Sequence, residues 1–375
     1  MTTHAQHTAA DSPIPVVAVV AYSPAPYRVE LFDEIARRGI VRLQAIYVHR
    51  HEPGRHWAAA PLHHTACFLR EPGAIESATQ QVRSADLAVI SYFSDPAASS
   101  LWRERRATRK PWVFWGERPG AYQRGAIGRI VRRFRLRHLR SSEAPVWAIG
   151  NWAALAYREE FGPHRRVENL PYYSDLARFA KAATTRNRAA GQRRILFSGS
   201  FIARKGVDLL LNAFAVIAAR HSGLTLTLAG AGELETRIKQ QVAAQALRVR
   251  VEGFTPWEKL PELYAEHDVL AVPSRYDGWG MVVPEGLASG MPVLATDHMG
   301  AALDLITRGS NGWICTADDT RSLAQNLEQA ASLDPVALNS MSAAATASVA
   351  RHQLQDGARK FEELCLESLR PSSAK

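Results

Sequence analysis

Cysteine is scarce in this sequence. Cys67, Cys315 and Cys365 are the only three among 375 residues, and no Cys-x-x-Cys pair occurs. This argues against a disulfide scaffold and a structural zinc site, and fits a reducing compartment. Long apolar runs are missing too. The polar opening MTTHAQHTAADSPIP carries no basic run, and the apolar stretch after it is too short for a leader or a membrane span. The expectation is a cytoplasmic chain, at most peripheral on the inner face of a plasma membrane. Fixed-period repeats and low-complexity tracts are also absent.

What is present is an ordinary globular mixture, 46% hydrophobic and 22% charged. The length exceeds what one core usually serves, so two domains are expected. The net charge of +10 is unevenly spread: residues 1–185 hold 26 Lys and Arg against 16 Asp and Glu, and residues 186–375 hold 20 against 20. An anionic partner is therefore expected for the N-terminal half alone. That half shows no nucleic-acid module, so nucleic acid is not expected as the partner.

Short apolar runs alternate with helical periodicity. Val16 to Ala21, 43–49, 86–93, 111–115 and 146–150 read as strands, and Val29, Leu31, Phe32 and Ile35 recur at helical spacing before Gly39. A second series runs from 194–200 through 224–230, 249–253, 269–274 and 292–296 with helices between. The pattern predicts α/β architecture with two Rossmann-like doubly wound domains facing a cleft. The expected boundaries are 1–180 for an acceptor-side domain, 181–194 for a polar linker, and 195–350 for a donor domain. Residues 351–375 form a C-terminal helix that packs back on the first domain.

The most informative stretch is PSRYDGWGMVVPEGLASGMPVLAT (273–296), which reads strand, glycine turn, helix, glycine stop, strand. Gly278 and Gly280 let backbone approach a ligand, and Pro284 suits a first helical turn. A helix start there favours an anion such as a diphosphate. Asp277 and Glu285 flank the turn, and a carboxylate there accepts hydrogen bonds from sugar hydroxyls. The bland alternative makes both acids helix caps.

This stretch resembles the signature of glycosyltransferase family 4, a GT-B family of retaining, nucleotide-sugar-dependent enzymes, whose pattern is two glutamates separated by seven residues. Asp277 replaces the first. The resemblance implies that Glu285 binds the donor ribose. It also implies that Asp277, Gly278, Trp279, Gly280 and Met281 meet the donor sugar and diphosphate, with Trp279 shaping sugar selectivity. ILFSGSFIARKGVDLLLNAF (195–214) resembles the first strand, glycine loop and Lys-Gly pair of the donor domain. It implies donor contacts at Gly199 and Ser200 and makes Lys205 the charge that neutralises the leaving diphosphate. Ser200 stands where many relatives carry arginine, and Arg204 is the candidate replacement. LAGAGELE (228–235), VEGFTPWEKLPELYAEHDVLAVPS (251–274) and RGSNGWI (308–314) follow in the family's order, with Gly253 and Phe254 as further donor-side candidates.

In the N-terminal half, AYSPAPYRVELFDEIAR and ENLPYYSDLARF (168–179) resemble the family more loosely. The acceptor-domain histidine used by many relatives has no counterpart. Glu117 and Arg118, in WGERPGAY (115–122), are the acceptor-side candidates, against an ordinary surface loop. The expected catalytic set is Lys205, Arg204, Asp277 and Glu117.

The resemblance implies sugar transfer with retention of configuration from a nucleotide-diphosphate sugar to a glycan or lipid-linked acceptor, in polysaccharide or glycolipid biosynthesis. It implies no cofactor and no obligatory metal. The histidines of VHRHEPGRHW (48–57) and LHH (62–64) read as solvated loop. A GT-B nucleotide-sugar epimerase and a catalytically silent membrane-surface or scaffolding protein are the rival readings. RGAIGRIVRRFRLRHLR (124–140) holds seven arginines and no acid. Two readings remain open: a solvated helix with a core-facing apolar stripe, or a basic amphipathic helix resting on an anionic membrane surface.

Overall fold

The computed structural model describes residues 13–51, 61–119, 125–184, 186 and 191–370. The first series of elements is β1 (Val16–Ala21), α1 (Pro26–Arg38), β2 (Arg42–Tyr47), β3 (Thr65–Phe68), α2 (Ala74–Ser84), β4 (Leu87–Ile90), α3 (Pro96–Ala107), β5 (Trp112–Gly116), α4 (Gly125–Arg135), α5 (Arg137–Arg140), β6 (Val146–Ala148), α6 (Asn151–Phe161), β7 (Val167–Asn169) and α7 (Ala177–Ala183). The second is β8 (Arg193–Ser198), α8 (Val207–Ala218), β9 (Leu224–Ala229), α9 (Glu235–Ala244), β10 (Val249–Glu252), α10 (Leu260–Ala265), β11 (Val269–Val272), α11 (Val282–Ala288), β12 (Val293–Thr296), α12 (Gly300–Leu305), β13 (Gly312–Cys315), α13 (Thr320–Ala331), α14 (Pro335–Ser348) and α15 (Leu354–Leu369).

Two parallel sheets result, in the orders β3-β2-β1-β4-β5-β6-β7 and β10-β9-β8-β11-β12-β13. Helices cover both faces of a parallel sheet, which is why β1, β4, β11 and β12 are nearly uninterrupted apolar runs with almost no exposed side chain. In each sheet the strand order reverses beside its first strand, between β1 and β4 and between β8 and β11. Loops leaving the carboxyl ends of strands part at such a point and open a crevice.

Residues that join the two sheets explain their relative placement. One apolar cluster contains Val17, Trp115 and Trp147 of the first sheet region together with Val272, Trp279 and Met299 of the second. Phe179 of α7 packs its ring 5.2 Å from that of Tyr264. In the expected linker, the Arg186 guanidinium donates to the carbonyls of Tyr264, Ala265 and Gly290, fastening that residue to the second sheet's helices. The chain finally returns to the first sheet. α15 lies on α1, where Arg38 pairs with Glu362 at 2.8 Å, and Phe361 sits 5.4 Å from Trp147 and 6.0 Å from Trp115 between ring centroids.

Candidate functional site

The loop after β8 and the loop after β11 carry most of the candidate residues, and both leave the carboxyl edge of the second sheet at its reversal point. Gly206 makes the first loop feasible. Its φ is +69°, and a Cβ there would stand 2.0 Å from the carbonyl oxygen of Pro273, so only glycine allows the two loops to touch. Arg204 and Lys205 are thereby brought beside Tyr276 and Asp277.

Together these loops wall a cleft of about 710 Å³ between the two sheets. Gly199, Ser200, Arg204, Lys205, Phe254, Asp277, Gly278, Trp279, Gly280, Met281 and Glu285 all border it, with Glu117 on the opposite wall. Gly253 does not border it; the cleft begins at Phe254. No described histidine borders it either. The first sheet contributes Pro26, Tyr27, Glu117 and Tyr172.

Lys205 Nζ is ion-paired with Asp277, and Arg204 Nη1 is 3.8 Å from the same carboxylate while donating to the Tyr276 carbonyl at 3.1 Å. Two cations and one carboxylate thus meet at the diphosphate end expected from sequence. α11 has only seven residues, so the cleft's positive charge comes chiefly from Lys205 and Arg204 rather than from a long helix.

Glu285 lies in the first turn of α11 with its side chain buried, and its Oε2 accepts from Tyr264 Oη at 3.3 Å. Burial pushes this carboxyl up to about 8, against the opposing pull of Arg178 and Tyr264. Arg178 itself reaches back to the first sheet region. It donates to Glu30 of α1 at 3.0 Å, and its guanidinium covers the Trp257 ring at 3.2 Å. Burial raises Glu30 to about 7 despite Arg178.

Glu117 opens toward cleft solvent yet is enclosed by the walls, so loss of hydration pushes its carboxyl up, and the charge of Asp277 adds to this. It stands so close to Gly278 that a Cβ there would meet its carboxylate at 1.9 Å. Arg118 points elsewhere: its guanidinium covers Trp152 at 4.5 Å, and its carbonyl accepts from Tyr276 Oη at 3.5 Å.

Trp279 has the most enclosed side chain of the glycine turn. It borders the cleft, but its indole is only 1% exposed, stacked on His352 with centroids 5.7 Å apart and pressed against Gly150. Tyr27, Tyr172, Trp257 and Arg178 were not singled out from sequence. Arg178 stands inside the quoted ENLPYYSDLARF segment, which was the available signal.

The sequence pattern of the family described as glycosyl transferases group 1 matches residues 181–347. This segment is similar to the group 1 glycosyl transferases. Among curated relatives, mannosylfructose-phosphate synthase of Agrobacterium fabrum is 30% identical over 159 residues, 38% of this chain and 35% of that protein. A Corynebacterium glutamicum relative, the GDP-mannose-dependent monoacylated alpha-(1-6)-phosphatidylinositol monomannoside mannosyltransferase, is 25% identical over 54% of this chain and 56% of its own length. The match thus spans about a third of the first relative's length (35%) and little more than half (56%) of the second's. Among solved structures, Anabaena HepE in complex with UDP and glucose superposes with a TM-score of 0.72 at 17% identity, covering 94% of this chain and 100% of that one. The fold is the GT-B arrangement of two facing parallel-sheet domains.

Proposed function

We propose that this protein transfers a sugar from a nucleoside-diphosphate sugar to a glycan or lipid-linked acceptor, with retention of configuration. One observation carries the reading: Lys205 and Arg204 converge with Asp277 in a cleft whose floor belongs to the segment matched by the group 1 family. A diphosphate seated there meets two cations, and the charge that develops on it as the sugar departs is stabilised by groups already in place. Lys205 is the principal countercharge and Arg204 takes the place of the arginine that Ser200 replaces. Glu285 holds the ribose, Asp277 and the turn from Gly278 to Met281 hold the donor sugar, Gly199 and Phe254 line the donor, and Glu117 faces it from the acceptor side. No cofactor and no obligatory metal enters this reading.

The relatives support the ligand classes. The Anabaena structure holds UDP and glucose, and the Corynebacterium relative is named for a GDP-mannose donor and a phosphatidylinositol-linked acceptor. The setting proposed is bacterial polysaccharide or glycolipid synthesis on the cytoplasmic side, with the protein peripheral on an anionic membrane surface. No helix among the described residues is long and apolar enough to cross a membrane.

The test is a panel of nucleotide sugars incubated with the protein, with and without lipid-linked or soluble glycans, reading release of nucleoside diphosphate. Release that Lys205→Ala suppresses is the expected result. Conversion of the donor to another sugar nucleotide without acceptor would overturn it in favour of an epimerase.

A further inference from the structure

The arginine-rich segment between β5 and β6 does not bury its apolar stripe. In α4, Ile127, Ile130, Val131 and Phe134 are spaced one helical face apart and are 78%, 69%, 41% and 65% exposed. This excludes a core-facing stripe, which would be covered.

The helix is nonetheless fastened. Arg132 Nε donates to Glu160 of α6 at 2.8 Å, Arg140 pairs with the same carboxylate, and Arg135 Nη2 donates to Ser94 at 2.7 Å. Leu136 and Leu139, just beyond the stripe, turn inward and are buried. The exposed face therefore belongs to an anchored helix. Arg133 is exposed beside it, and the Arg137 guanidinium covers the Phe134 ring at 4.3 Å. Arg103 and Arg106 of α3 continue the positive surface: with Arg137 they face His138, whose pKa is lowered first by burial and then by these three charges.

We propose that α4 is the surface by which this protein rests on an anionic lipid leaflet, with Ile127, Ile130 and Phe134 entering the acyl boundary while Arg133, Arg137 and Arg103 meet headgroup phosphates. The proposal rests on the lipid-linked-acceptor reading for its purpose, but its chemistry is independent of sugar transfer. A row of large apolar side chains rimmed by arginine suits an interface that is apolar inside and negatively charged at its rim. A second copy of the chain fits poorly, because a two-fold contact would set the same arginines against each other.

Co-sedimentation with vesicles of phosphatidylglycerol and phosphatidylcholine tests this, with nucleoside-diphosphate binding measured on the same samples. Wild-type protein is expected to partition to the anionic vesicles at least about tenfold better than to neutral ones, with the preference largely lost near 1 M salt, where the Debye length falls to about 3 Å. Ile130→Ser with Phe134→Ser, and separately Arg133→Glu with Arg137→Glu, are each expected to lower partitioning about tenfold or more while nucleotide binding is kept. Arg132 is left in place because it ties α4 to Glu160. Wild-type protein that ignores anionic vesicles at low salt would overturn the proposal. So would a dimer in solution that the serine pair dissolves, since the face would then belong to a second copy. Vesicle binding without any nucleotide binding would uphold the docking surface and count against the transferase reading.

Discussion

Lys205 and Asp277, 72 positions apart in sequence, are ion-paired on the floor of the cleft, and Arg204 stands 3.8 Å from the same carboxylate. In the donor-free protein the carboxylate thus occupies the cation that a diphosphate would claim. Lys205→Ala is expected to lower the transfer rate about 10²- to 10³-fold, the usual loss when one preorganised charge-stabilising donor is removed. Asp277→Asn is expected to bind bare nucleoside diphosphate at least as well as wild type, since a competing anion is gone, while transfer still falls. Weaker binding of the bare diphosphate by Asp277→Asn would place that carboxylate on the nucleotide rather than on the sugar.

Glu285 gives a pH signature. Its carboxyl, raised to about 8 by burial, is mostly protonated at pH 7 and mostly ionised at pH 9 in the donor-free protein. A hydrogen bond from a ribose hydroxyl to a carboxylate contributes about 1.5–3 kcal/mol, against about 0.5–1.5 kcal/mol for one to an acid or an amide. Wild-type affinity for a nucleoside diphosphate should therefore rise from pH 7 to 9, while Glu285→Gln stays near the pH 7 level. Calorimetric titration at both pH values checks this, and the variant cancels the ligand's own titration. Parallel curves for the two proteins would remove the ribose contact from Glu285.

The same group sets a stability trend. A folded carboxyl above its usual value of 4.5 binds more protons than the unfolded chain does between pH 4.5 and 8. Its contribution therefore declines as pH rises through that window. Glu285→Gln should melt closer to wild type at pH 5 than at pH 8, with any difference favouring the variant at the higher pH. Thermal scans at the two pH values read it.

Gly150 bears on the donor turn from the far side. Its φ is +90°, and a Cβ there would stand 2.8 Å from the Trp279 ring, whereas Gly162 has φ +85° with nothing within 4 Å. Both alanine variants carry backbone strain, and only Gly150→Ala also pushes Trp279. Overpacking of this kind costs about 1–3 kcal/mol. Gly150→Ala should therefore melt several degrees lower than Gly162→Ala and bind donor more weakly. Equal donor affinity for the two would uncouple Trp279 from the cleft.

Transfer is expected to survive chelation, because Lys205 and Arg204 are the charges offered to the leaving diphosphate. Rate measurements after EDTA treatment, followed by magnesium or manganese, check it. A rate that collapses and returns with the metal would sink the expectation.

The second sheet was more legible than the first, for reasons visible in particular residues. Strands such as VLAV (269–272) are apolar throughout because both their faces are covered. β3 (Thr65–Phe68) and β7 (Val167–Asn169) were not read as strands: they are four and three residues long, and VEN offers one apolar side chain. α14 is hard to read because Leu338, Met341 and Ala345 recur at helical spacing while Val336, Ala343 and Ala347 make its exposed face apolar too. In the cleft, Lys205, Asp277 and Glu285 were found because their loops hold short-range glycine patterns. Arg178 escaped because its meaning depends on Glu30 and Trp257, 148 and 79 positions away, and no local pattern records such a meeting.

The return of α15 to α1 has a consequence for synthesis. Phe361 completes a cluster with Phe32, Trp115 and Trp147, residues that leave the ribosome more than two hundred positions earlier. At about 5–20 residues per second, tens of seconds separate the first sheet's emergence from the arrival of its last helix. During that interval the second sheet can close on its own contiguous sequence while the first waits with aromatic surface uncovered. The second domain thus has all its strands before the first has its last helix, and a chain truncated near residue 350 would display a complete second sheet beside an unsealed first one.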